Sequence, residues 1–323
     1  MENNVLETSI YDDKKKKKDE NISDGMNRFN CVKPGANAAY SALFIILALL
    51  CILPVVFVII ISFTSENAIG KYGYSFFPKE WSLRAYEYVW SMRSLVGRSL
   101  LNSIGITLVG TSIGLVLTST MGYCLSRRTY KFRKFFTYFI FIPMLFHGGL
   151  LASYVVNTQI LGLKDTYWAL ILPTCCSSFY VIIMRTFFTT TIPDEIIESG
   201  KIDGASQLRI FVQLVLPISL PALATIGLFL AFGYWNDWFQ SSLFITDNNL
   251  LSLQALLNSM QKNIEYIAQH PDPGISLADY KRAMPSEGIR MAIAVVVAVP
   301  IACIYPFFQK YFISGLTIGA VKG

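Results

Sequence analysis

The sequence predicts an all-α membrane protein with six transmembrane helices, and three observations carry that expectation. Hydrophobic residues make up 53% of the 323 and charged residues only 15%, where a soluble domain carries about 25% charge. The apolar residues gather into runs long enough to cross a bilayer, about 20 residues each, at roughly 38–63, 100–124, 135–157, 167–189, 217–245 and 289–312. Lysine and arginine are densest before the first run and just after the second, and such asymmetry orients spanning helices.

Taken in order, residues 1–37 form a polar and basic tail rich in Asn, Asp and Lys, without apolar periodicity, for which disorder is expected. Its run Lys14 to Lys18 reads either as a solvated topogenic block or as a contact for anionic lipid headgroups. The first apolar run is too long for the h-region of a cleaved signal. The stretch after it carries Lys71, Lys79, Arg84, Arg93 and Arg98, but is longer and also holds Glu66, Glu80 and Glu87. The short loops therefore decide orientation. Arg127, Arg128, Lys131, Arg133 and Lys134 follow the second run, which places that loop, both termini and the loop 193–217 in the cytoplasm. Pro173 interrupts the fourth run, and Pro217 and Pro221 kink the start of the fifth. Spanning helices tolerate proline when neighbours satisfy the freed carbonyls. Residues 246–288 are expected to form a long external loop, polar but with Ile264, Ile267, Ile275 and Leu277 spread through it.

The sequence offers no catalytic framework. It contains no Gly-x-x-x-x-Gly-Lys-[Ser/Thr] phosphate loop, no His-Glu-x-x-His and no Gly-x-Ser-x-Gly. Cys31, Cys51, Cys124, Cys175, Cys176 and Cys303 fall in the tail or in expected spans, with no metal spacing, and read as small apolar fillers. His147, beside Gly148 and Gly149, is expected to pack or face a pore, far from His270. Energised work therefore draws on another subunit or on an ion gradient. An ion-coupled carrier places ionisable groups near the bilayer midplane. The nearest such groups, Arg185 and Asp237, lie toward span ends, which argues against a carrier. A non-transport scaffold is the other alternative.

Two constellations stand out. In the loop 193–217, Pro193 suits a first helical turn, and Asp194 and Glu195 complement the positive end of a helix. Gly200 loosens that helix, and Asp203 is expected to cap a second one running from Gly204 toward Leu216. In the fifth run, Tyr234-Trp235-Asn236-Asp237 combines aromatic rings with an amide and a carboxylate. A sugar path needs such groups, because sugars present apolar C–H faces and hydroxyl rims. Interfacial aromatic anchoring with helix–helix hydrogen bonds accounts for the same residues equally well.

The loop resembles the EAA loop of bacterial ABC-importer permeases, in which Glu-Ala-Ala, three residues, Gly and nine residues lead to Ile-x-Leu-Pro. Glu198, Gly204, Leu216 and Pro217 match, Leu214 replaces the Ile, and Ser199 and Gly200 stand for the two alanines. Phe77-Pro78-Lys79-Glu80-Trp81-Ser82, Asn102-Ser103 and Leu125-Ser126-Arg127 are similar to maltose-type sugar permeases. Ile142-Pro143-Met144, Trp168-Ala169-Leu170 with Pro173, and Tyr305-Pro306-Phe307-Phe308 resemble a branch that imports complex oligosaccharides. The resemblance runs from about residue 38 to the end. It implies the type I ABC importer permease fold, with Glu198, Ser199, Gly200, Asp203, Gly204 and Ala205 coupling the permease to an ATPase. It also implies a second homologous permease, two ATP-binding subunits that hold ATP and Mg, and an extracytoplasmic sugar-binding protein. The resemblance further implies a bacterial plasma-membrane setting, with lipids as partners and no nucleic acid. In maltose-type systems substrate contacts also lie on the partner permease.

Overall fold

The computed structural model describes residues 34–146, 148–269 and 286–320, the side chains of a few helical residues excepted. The Lys14–Lys18 run, Cys31, His147 and His270 lie outside the described residues. The described elements are helical, with one isolated antiparallel bridge between Thr64 and Trp81. Helix α1, Pro34–Ser62, begins inside the tail expected at 1–37. Up to Phe57 it forms a unit of its own, and most of its large apolar side chains from Tyr40 to Val56 are exposed. A lipid-facing helix has this character, since nothing polar is left to solvate.

The second unit begins at Val58. Its helices are α2 (Glu66–Tyr72), α3 (Arg84–Ser91), α4 (Arg93–Ser126) and α5 (Arg133–Leu145). Next come α6 (Gly149–Val155), continued by a π turn Val156–Ile160, and α7 (Tyr167–Ile171), tightened by a 3₁₀ turn at Leu172–Thr174. Helices α8 (Ser178–Thr191), α9 (Asp194–Ile202) and α10 (Gln207–Ile210) follow. A π turn Phe211–Val215 leads from α10 into α11 (Leu216–Ile218). The remaining described helices are α12 (Leu220–Asn236), α13 (Phe239–Phe244), α14 (Leu253–Gln269), preceded by a 3₁₀ turn at Asn248–Leu250, and α15 (Ser286–Ala320).

Several expected runs are broken rather than continuous. Among the described residues, Ala36–Ser62 and Arg93–Ser126 are each long and apolar enough to cross a membrane alone. Residues 135–157 divide between α5 and α6. Residues 167–189 bend by 49° between Thr174 and Ser178, and the fifth run bends by 82° between Ile218 and Leu220. A proline precedes each bend, Pro173 in the first case and Pro217 in the second, and Pro221 comes just after the second. Proline lacks the amide that would continue the hydrogen-bond ladder. The fifth run breaks again at Asp237 and Trp238. Part of the expected external loop is also helical. In α14 the spacing of Leu253, Leu256, Leu257 and Met260 lays an apolar stripe along one face, of which Leu253 and Leu256 are buried.

Helix α4 is the spine, packed against both α8 and α12. Glycines set how closely these helices approach. A Cβ at Gly110 would lie 2.4 Å from the Tyr234 ring, and one at Gly122 would lie 2.8 Å from Met184 Cβ. At one end of α4, Asn102 donates to the carbonyls of Asn249 and Leu251 and accepts from the Tyr167 hydroxyl. The Asp165 carboxylate, in a loop at that end, accepts the amides of Thr246 and Asp247. At the other end, Tyr123 and Arg127 meet Phe188, Asp194 and Gln207.

Candidate functional site

The loop 193–217 is built on a shared core. Tyr123 of α4, Met184 and Phe188 of α8, Ile197 of α9, Ile210 of α10, Phe211 and Val215 of the π turn and Leu230 of α12 form one buried cluster. The loop's two short helices therefore gain their stability from burial against the spans, since isolated helices this short are marginal in water.

Within that corner the sequence's capping residues divide differently from expectation. Pro193 is the N-cap of α9, with extended backbone. Asp203 ends α9 as its C-cap, and Ser206 starts α10 by accepting the Arg209 amide on its side chain. The difference follows from Gly204, whose φ of +76° turns the chain between the helices. The second helix can begin only after that turn, so the cap falls to the next small hydroxyl residue. A Cβ at Gly204 meets nothing within 4 Å. The need for glycine here is conformational, not spatial.

Gly200 is small for another reason. It is buried, and a Cβ there would sit 3.1 Å from Ile210 Cγ1 and 3.2 Å from Leu214 Cδ1. The small residue at Gly200 lets α9 close onto the following helix. Glu198 and Ser199 are exposed, and Ser199 donates its hydroxyl back to the Ile196 carbonyl. Ile202 is 85% exposed and Leu208 70%, and Val212 is also exposed, so the loop presents apolar side chains beside the Glu198 carboxylate.

The second constellation splits in two. Tyr234 is buried against Gly110 and donates its hydroxyl to the Ile171 carbonyl at 2.8 Å. Trp235 is buried as well, and its indole N–H has no hydrogen-bond partner among the described residues. Asn236 ends α12, exposed, and donates to the Phe232 carbonyl. Asp237, at the helix break, accepts the Gln240 amide. Beside it, Ser103, Ile106, Leu170, Tyr234, Asp237, Ser241 and Ser252 line a cavity of about 10 Å³, the size of a single water. No sugar ring fits there; Tyr234 and Trp235 are buried, Asp237 is half-buried and Asn236 is exposed.

Arg127 ties the end of α4 to Phe188 and Asp194, contacts that counting basic residues for orientation does not reveal. Its position one residue past the end of α4, in a Leu-Ser-Arg motif, was the available signal.

Residues 107–318 match the model of the family described as binding-protein-dependent transport system inner membrane component. The chain belongs to that family. The permease is 41% identical to Protein LplC of Bacillus subtilis over 273 residues, covering 84% of this chain and 90% of that protein. It is 39% identical to the polygalacturonan/rhamnogalacturonan transport system permease protein YtcP of the same organism, covering 85% and 94%. Among solved structures it matches a bacterial ABC transporter that imports the acidic polysaccharide alginate. That match has a TM-score of 0.73 and 26% identity, over 87% of this chain and 99% of that one. The permease is thus an all-helical membrane subunit of an ABC importer, built on the importer permease fold. Transport, not enzymatic chemistry, is its work.

Proposed function

We propose that the permease forms one half of the translocation path for oligosaccharides, acidic ones above all, and that its loop 193–217 takes up the work of ATP hydrolysis. The observation that carries the coupling role is the loop's construction. It is welded by burial to α4, α8 and α12, yet presents Glu198, Ile202 and Leu208 outward. A push on the exposed face of such a corner moves the spans, because close-packed interiors transmit displacement instead of absorbing it. Its partners are a second homologous permease, two ATP-binding subunits holding ATP and Mg, and an external sugar-binding protein. ATP binding closes the ATPase pair, draws the two coupling loops together and turns the path from inward- to outward-facing. Within the loop, Glu198 meets a basic group of the ATPase, while Ser199, Gly200, Asp203, Gly204 and Ala205 shape the docked corner.

The six-span reading joins α1, α4, α5 with α6, α7 with α8, α11 with α12 and α13, and α15, with both termini in the cytoplasm. The sugar reading draws on relatives whose names concern polygalacturonan/rhamnogalacturonan and alginate. Asn236 faces the path at the permease–permease boundary, with Tyr234, Trp235 and Asp237 holding it in place. The test is purification of the tagged permease in mild detergent, identification of the proteins that come with it, and uptake of an acidic oligosaccharide. Glu198→Ala is expected to insert normally yet lose ATPase association or uptake. Asn236→Leu is expected to lower uptake while leaving the complex assembled. Unchanged uptake and co-purification in Glu198→Ala would overturn the coupling role, and unchanged uptake in Asn236→Leu would return that segment to simple interfacial placement.

A further inference from the structure

We propose that Arg127 is a positioning residue for coupling, a latch that makes the end of α4 move together with the coupling loop. The inference rests on the coupling role of loop 193–217. Arg127 lies just past the last turn of α4, and its guanidinium reaches three elements. Nε donates to Ser126 Oγ at 2.9 Å on its own helix. One terminal nitrogen donates to the Phe188 carbonyl at 3.3 Å, in the last turn of α8. The other donates to Asp194 Oδ1 at 3.1 Å, at the first residue of α9. The guanidinium also lies over the Tyr123 ring, 5.3 Å from its centroid. Tyr123 packs on Phe211 and edge-on to Phe188, and its hydroxyl is 3.5 Å from Gln207 Oε1 of α10.

The chemistry suits a latch better than a surface ion pair. Only 11% of the Arg127 side chain is exposed, against 65% of Asp194. The pair with Asp194 alone is therefore solvent-screened and weak. Arg127 does more, because a planar fork with several donors ties separate acceptors at fixed angles where a lysine offers one point charge. The Phe188 carbonyl lies at the negative end of α8, where a cation is favoured. Gly122 supports the same joint: its missing side chain lets α4 come down on Met184 and Arg185 of α8. Without Arg127 the joint keeps its apolar packing but loses the directional ties that hold α9 in register with α4. The expectation is uncoupling, with ATP still hydrolysed and less substrate moved per ATP.

The experiment uses the assembled complex, with both permeases and both ATPase subunits, in proteoliposomes with its binding protein. Uptake and ATP hydrolysis are read in the same vesicles for wild type, Arg127→Ala, Arg127→Lys and Glu198→Ala, each normalised to assembled complex. Arg127→Ala is expected to lower the ratio of uptake to hydrolysis at least about fivefold, the lower end of coupling between distinct sites. Arg127→Lys is expected to recover part of the ratio, because charge returns without the fork. A merely structural role would instead lower the amount of complex and leave the ratio per complex unchanged. That result, or a wild-type ratio in Arg127→Ala, overturns the latch. Glu198→Ala separates the two readings. If it impairs coupling while Arg127→Ala does not, only the latch fails. If neither variant has any effect, the coupling role of the loop fails with it.

Discussion

Asp165 shows how a single side chain can hold two loops together. It is a non-glycine residue at φ +54°, in the left-handed region that Asp and Asn tolerate better than other side chains. Its carboxylate accepts the backbone amides of Thr246 and Asp247. Those amides, Thr246 first, hold the carboxyl below its ordinary value of 3.8. The folded state thus favours the ionised form. The contribution is fully present above that ordinary value and drains away as pH falls through the lowered one. Hydrogen exchange at Thr246 and Asp247, corrected for intrinsic rates, is expected to lose protection as pH falls below the ordinary carboxyl value of 3.8. Asp165→Asn keeps the backbone conformation but is expected to show weaker protection that no longer varies across that window. An unchanged pH profile in Asp165→Asn would assign the protection to the loops themselves. Asp165 was not legible as a site in the sequence, because its partners lie some eighty residues away. The turn at Gly204 was legible, because the motif that contains it is contiguous in the chain.

At the scale of elements, what the sequence makes visible depends on whether the cause is local. The bend after Pro217 was foreseeable, since proline removes an amide wherever it stands. The break at Asp237 falls inside a run read as continuous; there the Asp237 carboxylate accepts the Gln240 amide, and the Ser252 hydroxyl donates to the Asp237 carbonyl from fifteen residues on. Likewise α14 was hidden inside a segment read as loop, because its stripe is short and its burial depends on α4 and α15. The glycines of α4 look alike in sequence and differ in space. Gly110 abuts the Tyr234 ring, whereas a Cβ at Gly105 meets nothing within 4 Å. Gly110→Ala cannot be absorbed by moving Tyr234, whose hydroxyl is held by Ile171. It is expected to cost about 1–3 kcal/mol, the usual penalty for overpacking. Gly105→Ala is expected to be neutral or to stabilise by up to about 1 kcal/mol, as helix propensity dictates. Thermal denaturation of the purified permease in detergent checks the contrast, and equal melting temperatures for the two variants would contradict it.

At the scale of the whole molecule, the proposal of six crossings predicts which loops share a side of the membrane. Six crossings put the segments around 63–93, 158–166 and 246–288 on one side of the membrane, and those around 127–132 and 193–217 on the other. Within the second unit, the loop of Asp165 joins Thr246 and Asp247, and Glu66 and Tyr74 meet the start of α15. Arg127 joins Asp194 at the opposite end of α4 from Asn102. None of these hydrogen bonds joins the two sets. The absolute direction rests on the basic residues Arg127, Arg128, Lys131, Arg133 and Lys134, a cluster that favours the cytoplasm. Single cysteines replacing Ser75, Gln261 and Ser206, in a background cleared of the native cysteines, test both together. An impermeant thiol reagent is expected to label the first two positions in intact cells. Ser206→Cys, exposed at the start of α10, is expected to react only after the membrane is opened. Labelling of that position from outside would invert the topology and remove the loop 193–217 from any contact with a cytoplasmic ATPase, because a helix pair on the outer face has no nucleotide-driven partner to move it.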